Sequence, residues 1–163
     1  MVVHPVCKRK VVASQFPSFT LGGKTLQFVT EFRYLGHIIN NQFNDDDDVK
    51  REIRNLFMRT NILIRRYGKC SINVKTALFK AYCMCLYDAG IWRQYSVTKL
   101  RSCYNKCVKI FFSYDRCYSV TQMLQELCLP SFDNLFLNCI GSFKARWSSC
   151  TKTLVEHLNS LHV

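Results

Sequence analysis

The spacing of apolar residues along the chain changes from a strand-like to a helix-like pattern near residue 45. Before that point, two short apolar runs, Phe19–Leu21 and Thr25–Val29, flank the pair Gly22-Gly23, and a third extended stretch covers Phe32–Ile39. Glycine tolerates positive φ angles, so a glycine pair between two apolar runs predicts a β-hairpin. The pattern therefore predicts a hairpin and a third strand, which together form a small β element over residues 1–44.

From residue 49 to residue 67, apolar residues recur every three or four positions, which is the period of an α-helix. They form one stripe: Val49, Ile53, Leu56, Phe57, Thr60, Leu63, Ile64 and Tyr67. The run Asp45–Asp48 precedes this stripe and places negative charge at the positive end of the helix dipole. Gly68 follows the stripe and is typical of a helix end. The pattern predicts one long helix between the aspartates and Gly68.

Capping residues and periodicity predict further helices after residue 70. The expected segments are Ser71 to about Tyr87, Thr98–Phe112, Ser119–Pro130, Ser131 towards Trp147, and a brief helix from Thr153. For the helix predicted from Ser71, the residues expected to face inward are Val74, Leu78, Ala81, Tyr82 and Cys85. The predicted fold class is α+β, mainly α: a small N-terminal β hairpin or three-strand element over 1–44, then a helical region of about six helices over 45–163.

Composition adds a preference for anionic partners. The chain has 163 residues, of which 48% are hydrophobic, and its 23 Lys and Arg against 11 Asp and Glu give a formal net charge of +12. This is enough apolar material for a core, and the charge favours polyanions such as nucleic acid or acidic membrane surfaces. The sequence has no long apolar run and no charged N-terminal stretch leading into an apolar core, so neither a membrane span nor secretion is expected. We predict an intracellular protein, cytoplasmic or nuclear, with no membrane partner.

The ten cysteines include no C-x-x-C pair. The nearest spacings are Cys83-x-Cys85 and Cys103-x-x-x-Cys107, and both lie in predicted helices. Residues two apart on a helix diverge by roughly 200° and cannot face one ion, whereas residues four apart share a face and here suit an apolar core. In a reducing compartment disulfides are not expected. Core cysteines are the favoured interpretation, and a zinc-stabilised domain that uses these four thiolates is the weaker alternative. We predict no metal and no cofactor.

The sequence does not indicate a catalytic site. The run Asp45–Asp48 offers carboxylates for magnesium, but four consecutive side chains cannot point the same way, and acids are favourable at a helix start in any case. His37 alternates with Ile38 in a predicted strand and is expected at a surface or an edge. The spacing of the histidines matches neither a zinc protease nor an activated nucleophile. We therefore predict no catalytic residue.

The long helix carries its cations away from the apolar stripe: Lys50, Arg51, Arg54, Arg59, Arg65 and Arg66. Glu52 is the sole acid between residues 49 and 68, whereas a merely solvated helix face usually mixes its signs. Such cations can contact phosphates, and Tyr67 or Trp92 could stack on sugars or bases. Two interpretations stay open at this point, a nucleic-acid-binding face and an ordinary solvated face.

The order of short motifs resembles the region that follows the catalytic box of non-LTR (LINE-type) retrotransposon reverse transcriptases. Leu21–Leu26 and the stretch with Tyr34-Leu35-Gly36 resemble the end of the family's palm, and Asp48–Arg54 resembles the opening of its thumb. Further matches in order are Lys75, Leu78, Phe79, Ala81, Tyr82, Cys83, Leu86, Tyr87, Trp92, Tyr104, Asn105, Lys109, Ser119–Leu124, Phe132, Phe143, Arg146 and Ser149. Two positions depart from the family pattern: Asp88 stands where glycine is usual, and Lys109 where arginine is common.

The resemblance implies a thumb-like helical bundle whose first helices grip the primer–template duplex through its backbone. The nucleic-acid contacts expected on this basis are Lys50, Arg51, Arg54, Arg59, Arg65, Arg66 and Lys75. In that family, polymerase activity depends on an aspartate pair in a Tyr/Phe-x-Asp-Asp box that holds metal ions. This box would lie before Met1, so the expectation is a truncated fragment that is not an enzyme by itself, although its parent family is an RNA-directed DNA polymerase.

An alternative from another functional class is a stand-alone helical module, derived from a decayed element, that binds protein or RNA. A separate expectation, which applies to each of these alternatives, concerns self-association. In the family, the hairpin packs on a palm sheet, so Phe16, Phe19, Phe28 and Phe32 are expected to be partly exposed and to favour self-association through the β element.

Overall fold

The computed structural model describes residues 2–3, 6–7, 10–11, 17–42, 44–86, 89–92, 97–153 and 155. Phe16 and Asp88 lie outside the described residues. The same holds for most of the brief helix predicted from Thr153, of which only residues 153 and 155 are described.

Within these residues, short strands precede longer helices. The strands are β1 (Val2–Val3), β2 (Val6–Cys7), β3 (Lys10–Val11), β4 (Thr20–Leu21), β5 (Lys24–Thr25), β6 (Phe28–Val29), β7 (Glu31–Tyr34) and β8 (His37–Asn40). The helices are α1 (Asp46–Tyr67), α2 (Ile72–Cys83), α3 (Val97–Phe112), α4 (Val120–Glu126) and α5 (Phe132–Ser148). This α+β, mainly helical architecture confirms the predicted fold class. None of the helices in the described part of the chain is long and apolar enough to cross a membrane.

The strands form two-stranded sheets, in which β1 pairs with β6 in parallel and the pairs β2–β3, β4–β5 and β7–β8 are antiparallel. The β4–β5 hairpin turns at Gly22 and Gly23, whose φ angles of 59° and 75° match a type I′ turn and confirm the predicted hairpin. The expectation of one strand over Phe32–Ile39 is wrong. The chain reverses at Leu35 and Gly36, again with positive φ, so this stretch is a second hairpin. Leucine rarely adopts positive φ, which is why the turn was not predicted.

Two compact units divide the chain, one comprising residues 1–55 with 92–100 and the other 56–91 with 101–163. We refer to them as the first and second units. Helices α1 and α3 each contribute residues to both units. The two units are defined by the contacts between their residues. They do not test the domain boundaries expected from the sequence, 1–44 and 45–163, which stay a prediction.

Most of the apolar stripe of α1 is confirmed, since Val49, Leu56 and Leu63 are buried, whereas its last member, Tyr67, is exposed. The helix ends at Tyr67, directly before Gly68. The predicted N-cap residues Ser71, Ser119 and Ser131 are also found at these positions, although the Ser71 side chain makes no capping hydrogen bond. Ser119 and Ser131 occupy the N-caps of α4 and α5, and each side-chain oxygen accepts a hydrogen bond from the backbone N–H three residues on.

The core of the second unit is built around Phe79 of α2. Its ring centroid lies 6.0 Å from those of Tyr104 and Phe111, both on α3. The predicted inward face of α2 is therefore wrong: Phe79 and Cys83 are buried, whereas Val74 and Tyr82 are 46% and 55% exposed. The apolar residues of α2 itself are distributed around nearly its whole circumference, so the sequence period does not indicate which face is buried. The packing of the Phe79 ring against α3 determines the buried face.

Candidate nucleic-acid interface

The first turn of α1 contains a buried carboxylate that organises the first unit. The Asp48 side chain is fully buried, and its Oδ2 accepts a hydrogen bond of 2.8 Å from Trp92 Nε1. The backbone N–H of Ile38 donates to Oδ1 at 3.2 Å, and Nδ1 of His37 lies 3.0 Å from Oδ2. One carboxylate thus joins the β7–β8 hairpin, α1 and the segment at Trp92. The sequence-based expectation that His37 is a surface or edge residue is corrected, because its ring lies between Asp48 and Asp45.

Arg51 belongs to the same buried network. Its Nε donates to Asp48 Oδ1 at 2.6 Å and its Nη2 to Oδ2 at 3.2 Å, a bidentate pair. Its Nη1 lies 3.8 Å from the carboxylate of Glu52, and the side chain is only 13% exposed. These contacts give Arg51 an internal structural role, so its guanidinium group is already occupied by carboxylates of the first unit.

Lys50 and Arg54 are the exposed predicted contacts of the first unit. They are four residues apart on α1 and so share one face of the helix. Lys50 Nζ donates to Asp47 Oδ1 at 2.8 Å, and this exposed ion pair lowers the pKa of the Asp47 carboxyl. An exposed pair of this kind contributes little stability, so a phosphate can replace Asp47 as the partner of Lys50 at little cost.

Arg65 and Arg66 are the exposed predicted contacts of the second unit, near the C-terminal end of α1. Asn61, also exposed, lies one helical turn before Arg65 on the same face. The cations are favourable here even without a ligand, because the helix dipole is negative at this end. Asn61 and Arg65 nevertheless place an amide and a guanidinium group on one helix face, where both can donate to phosphate oxygens. Arg66 lies about 100° further around the helix and adds a second exposed guanidinium group.

Arg59 and Lys75 are less accessible. Nη1 of Arg59 donates to the backbone carbonyl of Cys85 at 3.4 Å, and Lys75 Nζ lies 5.6 Å from the centroid of the Phe111 ring, a cation–π contact. Both side chains are half-buried. Their roles as nucleic-acid contacts stay predictions, and the structure offers each of them an internal partner instead.

The two aromatic residues expected to stack on nucleic acid differ in exposure. Trp92 is buried and donates its indole N–H to Asp48, so stacking by Trp92 is excluded in this conformation. Tyr67 remains exposed at the last position of α1, next to Arg66. Of the two, only Tyr67 can contribute a ring to the surface that carries Arg65 and Arg66.

The second unit holds most of the excess positive charge. By sequence, residues 56–91 and 101–163 contain 13 Lys and Arg against 5 Asp and Glu. The imbalance is sharpest over residues 56–86, which include six basic residues and no acidic residue. A solvated surface without a partner usually mixes its signs, so this distribution favours an anionic partner for the second unit.

The cysteines of the second unit lie in two kinds of environment. Cys83, Cys103 and Cys107 are buried, with 4.0 Å between the sulfurs of Cys103 and Cys107 and 3.8 Å between Cys83 Sγ and Thr60 Oγ1. Cys85 is exposed and its thiol lies against the carbonyl of Ala81. Burial raises the pKa of the Cys83 thiol to about 11, which keeps it protonated at neutral pH. Among the described residues no group of three or more His, Cys, Asp or Glu side chains is arranged to hold a metal ion.

A groove on the second unit escaped the sequence-based prediction. It has a volume of about 550 Å³ and is lined by α3, the segment 113–118 and the start of α4, with Lys106, Lys109 and Arg116 among its residues. The spacing of Lys106 and Lys109 on one helix was the available signal. Arg116 joins them only through the turn that follows α3, which no local pattern predicts.

A comparison with protein-family models, with curated proteins and with solved structures finds no match for this chain. Each unit therefore has its own candidate contacts among the exposed cations of α1: Lys50 and Arg54 in the first unit, and Arg65 and Arg66 in the second.

Proposed function

We propose that this chain is the palm-end, thumb and connection region of a non-LTR retrotransposon reverse transcriptase, and that its exposed cations on α1 grip the backbone of a nucleic-acid duplex. One observation carries the binding part of this proposal. Arg65 and Arg66 are exposed in a stretch, residues 56–86, that contains no acid to neutralise them. Contacts of this kind supply affinity and register but do not read sequence.

Salt dependence gives the first test of this proposal. Each phosphate contact on a duplex contributes a slope of about −0.9 to the plot of log affinity against log salt concentration. If Lys50, Arg54, Arg65 and Arg66 each contact one phosphate, affinity falls about a hundredfold over a fourfold rise in salt. A flat salt response in a fluorescence-anisotropy titration with a labelled RNA–DNA duplex would contradict backbone binding.

Charge reversal locates the contacts. We expect Arg65→Glu with Arg66→Glu to weaken duplex binding and to reduce the salt slope by about 1.8, the share of two contacts. The matched control is Lys144→Glu with Lys152→Glu, which changes the charge equally at two exposed positions of the same unit that are not part of α1. Equal losses in the two double variants would show that net charge, rather than the α1 cations, governs binding.

The family assignment is tested separately from binding. We expect the transcript 5′ of the Met1 codon to contain an in-frame Tyr/Phe-x-Asp-Asp box, because in the family this region follows that box. Stop codons or unrelated sequence in its place would leave the chain as a stand-alone module.

That second candidate function, a helical protein-interaction module, is favoured by one feature of α2. Ile72, Val74 and Tyr82 are large apolar residues that this helix leaves exposed. Charge reversal at Arg54 and Arg65 separates the two functions. If the parent chain binds a duplex and the variant does not, the grip is supported. If the parent chain binds no duplex and the variant binds a protein partner as well as the parent does, the module is supported.

A further inference from the structure

The groove on the second unit has the dimensions of a small-molecule site. Its volume of about 550 Å³ falls within the range of about 300–1,000 Å³ that is typical of ligand pockets. Ser102, Asn105 and Lys106 lie on α3, whereas Tyr114 and Arg116 lie in the segment that follows α3. All of them belong to the second unit, so the groove is formed within one compact body.

The wall opposite α3 is held in place by a lysine. Lys109 Nζ donates to the carbonyl oxygens of Arg116 and Tyr118, each at 2.6 Å, and so ties the segment 113–118 back to the helix. An ammonium group has three donors, so one donor remains after these two bonds. The backbone reverses at Ser113, where φ is 62°, and Tyr114 N–H bonds to the Lys109 carbonyl at 2.9 Å, which is a Schellman motif. The groove is thus preformed by the turn itself.

The charge of the groove selects an anion. Lys106, Lys109 and Arg116 line it, and none of the described residues that line it is acidic. Arg116 is exposed, and Lys106 lies with its Nζ 5.6 Å from the centroid of the Phe57 ring, which limits the positions of its ammonium group. A phosphate group matches these donors, and the Arg116 guanidinium can bind it through two parallel hydrogen bonds.

The groove also has an apolar surface, which a bare phosphate would leave unused. Ile110 is 45% exposed and lines the groove together with the ring of Tyr114. The Tyr114 ring is held by Tyr118, with centroids 4.9 Å apart, and its hydroxyl donates to Glu126 at 2.7 Å. A fixed ring edge beside an exposed aliphatic side chain suits a flat heterocycle, and Ser102 and Asn105 supply hydrogen-bonding groups for its polar edge.

We infer that this groove binds one nucleotide unit, with its phosphate on Lys106 and Arg116 and its base against Ile110 and Tyr114. The nucleotide is either free or part of a single strand, because both present the same phosphate and base. A paired base in a duplex cannot enter, since its faces are covered by stacking. The inference goes beyond the proposed function, because the groove contains no residue of α1 and takes a single-stranded or free nucleotide instead of a duplex backbone.

The test uses the full chain and a fluorescently labelled strand of about twelve thymidines, long enough for typical single-strand site sizes. We expect Arg116→Glu to weaken binding at least about fivefold and to lower the salt slope by about 0.7, the contribution of one phosphate on a single strand. Lys144→Glu is the control, since it makes the same charge change on α5, outside the groove. Equal effects of the two substitutions would overturn the site, because the groove would then contribute no more than net charge.

The base contact has its own readout. A strand of the same length with abasic sugars keeps every phosphate and loses every base. We expect wild-type protein to prefer the thymidine strand by at least about fivefold, the lower end of what one stacked base contributes. Ile110→Ala should reduce this preference and leave binding of the abasic strand unchanged. No preference for the thymidine strand in wild-type protein would overturn the inference.

Competition then distinguishes the possible sources of the nucleotide. If thymidine monophosphate displaces the labelled strand, the natural ligand of the groove is a free nucleotide. If thymidine monophosphate does not displace the strand and the preference for thymidine over abasic strand persists, the natural ligand is a single strand. Displacement by polyglutamate at equal charge concentration would instead show a site for any polyanion and would contradict the inference. The double variant Arg65→Glu with Arg66→Glu separates this site from the duplex grip, because it should weaken duplex binding and retain the preference for thymidine over abasic strand.

Discussion

Replacement of Asp48 by alanine should lower the free energy of unfolding of the first unit far more than replacement of any neighbouring aspartate. The side chain is fully buried and bonds to Arg51, Trp92 and the backbone of Ile38, with His37 also in contact. Removal of one partner from a buried ion pair typically costs about 3–5 kcal/mol, because the remaining charge stays buried. Part of this cost is recovered if Arg51 turns to Glu52, whose carboxylate lies 3.8 Å away. We therefore expect a loss of about 3–4 kcal/mol in the free energy of unfolding of the first unit.

The position of the two tryptophans allows each unit to be followed separately. Trp92 belongs to the first unit and Trp147 to the second, and the chain has two tryptophans in all. In a Trp147→Phe background, urea unfolding monitored by tryptophan fluorescence follows the surroundings of Trp92, whose indole bonds to Asp48. Asp46→Ala is the matched control, since Asp46 is exposed in the same turn of α1 and should cost less than about 1 kcal/mol through the helix dipole. Similar losses for the two substitutions would refute the assignment of Asp48 as the organising residue.

The pH dependence provides a second check on the same network. Burial by itself raises the pKa of the Asp48 carboxyl, but the hydrogen bonds from Arg51 and Trp92 outweigh it, so the pKa lies below its ordinary value of 3.8. A carboxyl whose pKa is lowered by folding stabilises the folded state at higher pH, and this contribution is lost as the pH falls through the folded-state pKa. The difference in unfolding free energy between the parent chain and Asp48→Ala should therefore be full at neutral pH and shrink below about pH 4. A constant difference down to acid pH would contradict this account.

Three further substitutions test local features of the second unit. Gly90→Ala places a Cβ 2.5 Å from Cβ of Phe143, so we expect a loss of about 1–3 kcal/mol in thermal unfolding, and little loss for Gly141→Ala, where a Cβ meets nothing within 4 Å. Ser113→Gly should stabilise the turn after α3 by up to about 1 kcal/mol, because Ser113 has a φ of 62°, and a destabilisation would contradict the strain. Glu126→Gln should lower the pKa of Tyr114 from about 12 towards its ordinary value of 10.0, since the hydrogen bond to Glu126 is the main cause of the shift. Ultraviolet difference titration of phenolate formation measures this change, and an unchanged titration would show that the Tyr114–Glu126 bond does not form.

The sequence by itself determined the order and type of most elements. The 3.6-residue period of α1 and the capping serines of α4 and α5 predict helices that the structure contains, because these signals act between residues only a few positions apart. The Gly22-Gly23 hairpin belongs to the same class, since glycine alone meets the requirement of its turn. The excess of cations was also evident, since charge is a property of composition.

Tertiary structure decided which of these groups are available for binding. Arg51 and Trp92 look like exposed contacts in the sequence, yet both bond to Asp48. The Arg51 bond is local, three residues along α1, but the carboxylate that it binds is buried because Trp92 reaches it from 44 residues away. The buried face of α2 depended on the fit of the Phe79 ring against α3, and the groove depended on a turn that brings Arg116 to line the same groove as Lys106. In each case the deciding contact joins residues distant in sequence or separated by a turn. Local periodicity contains no information about such contacts, because their energies arise only when the chain has folded.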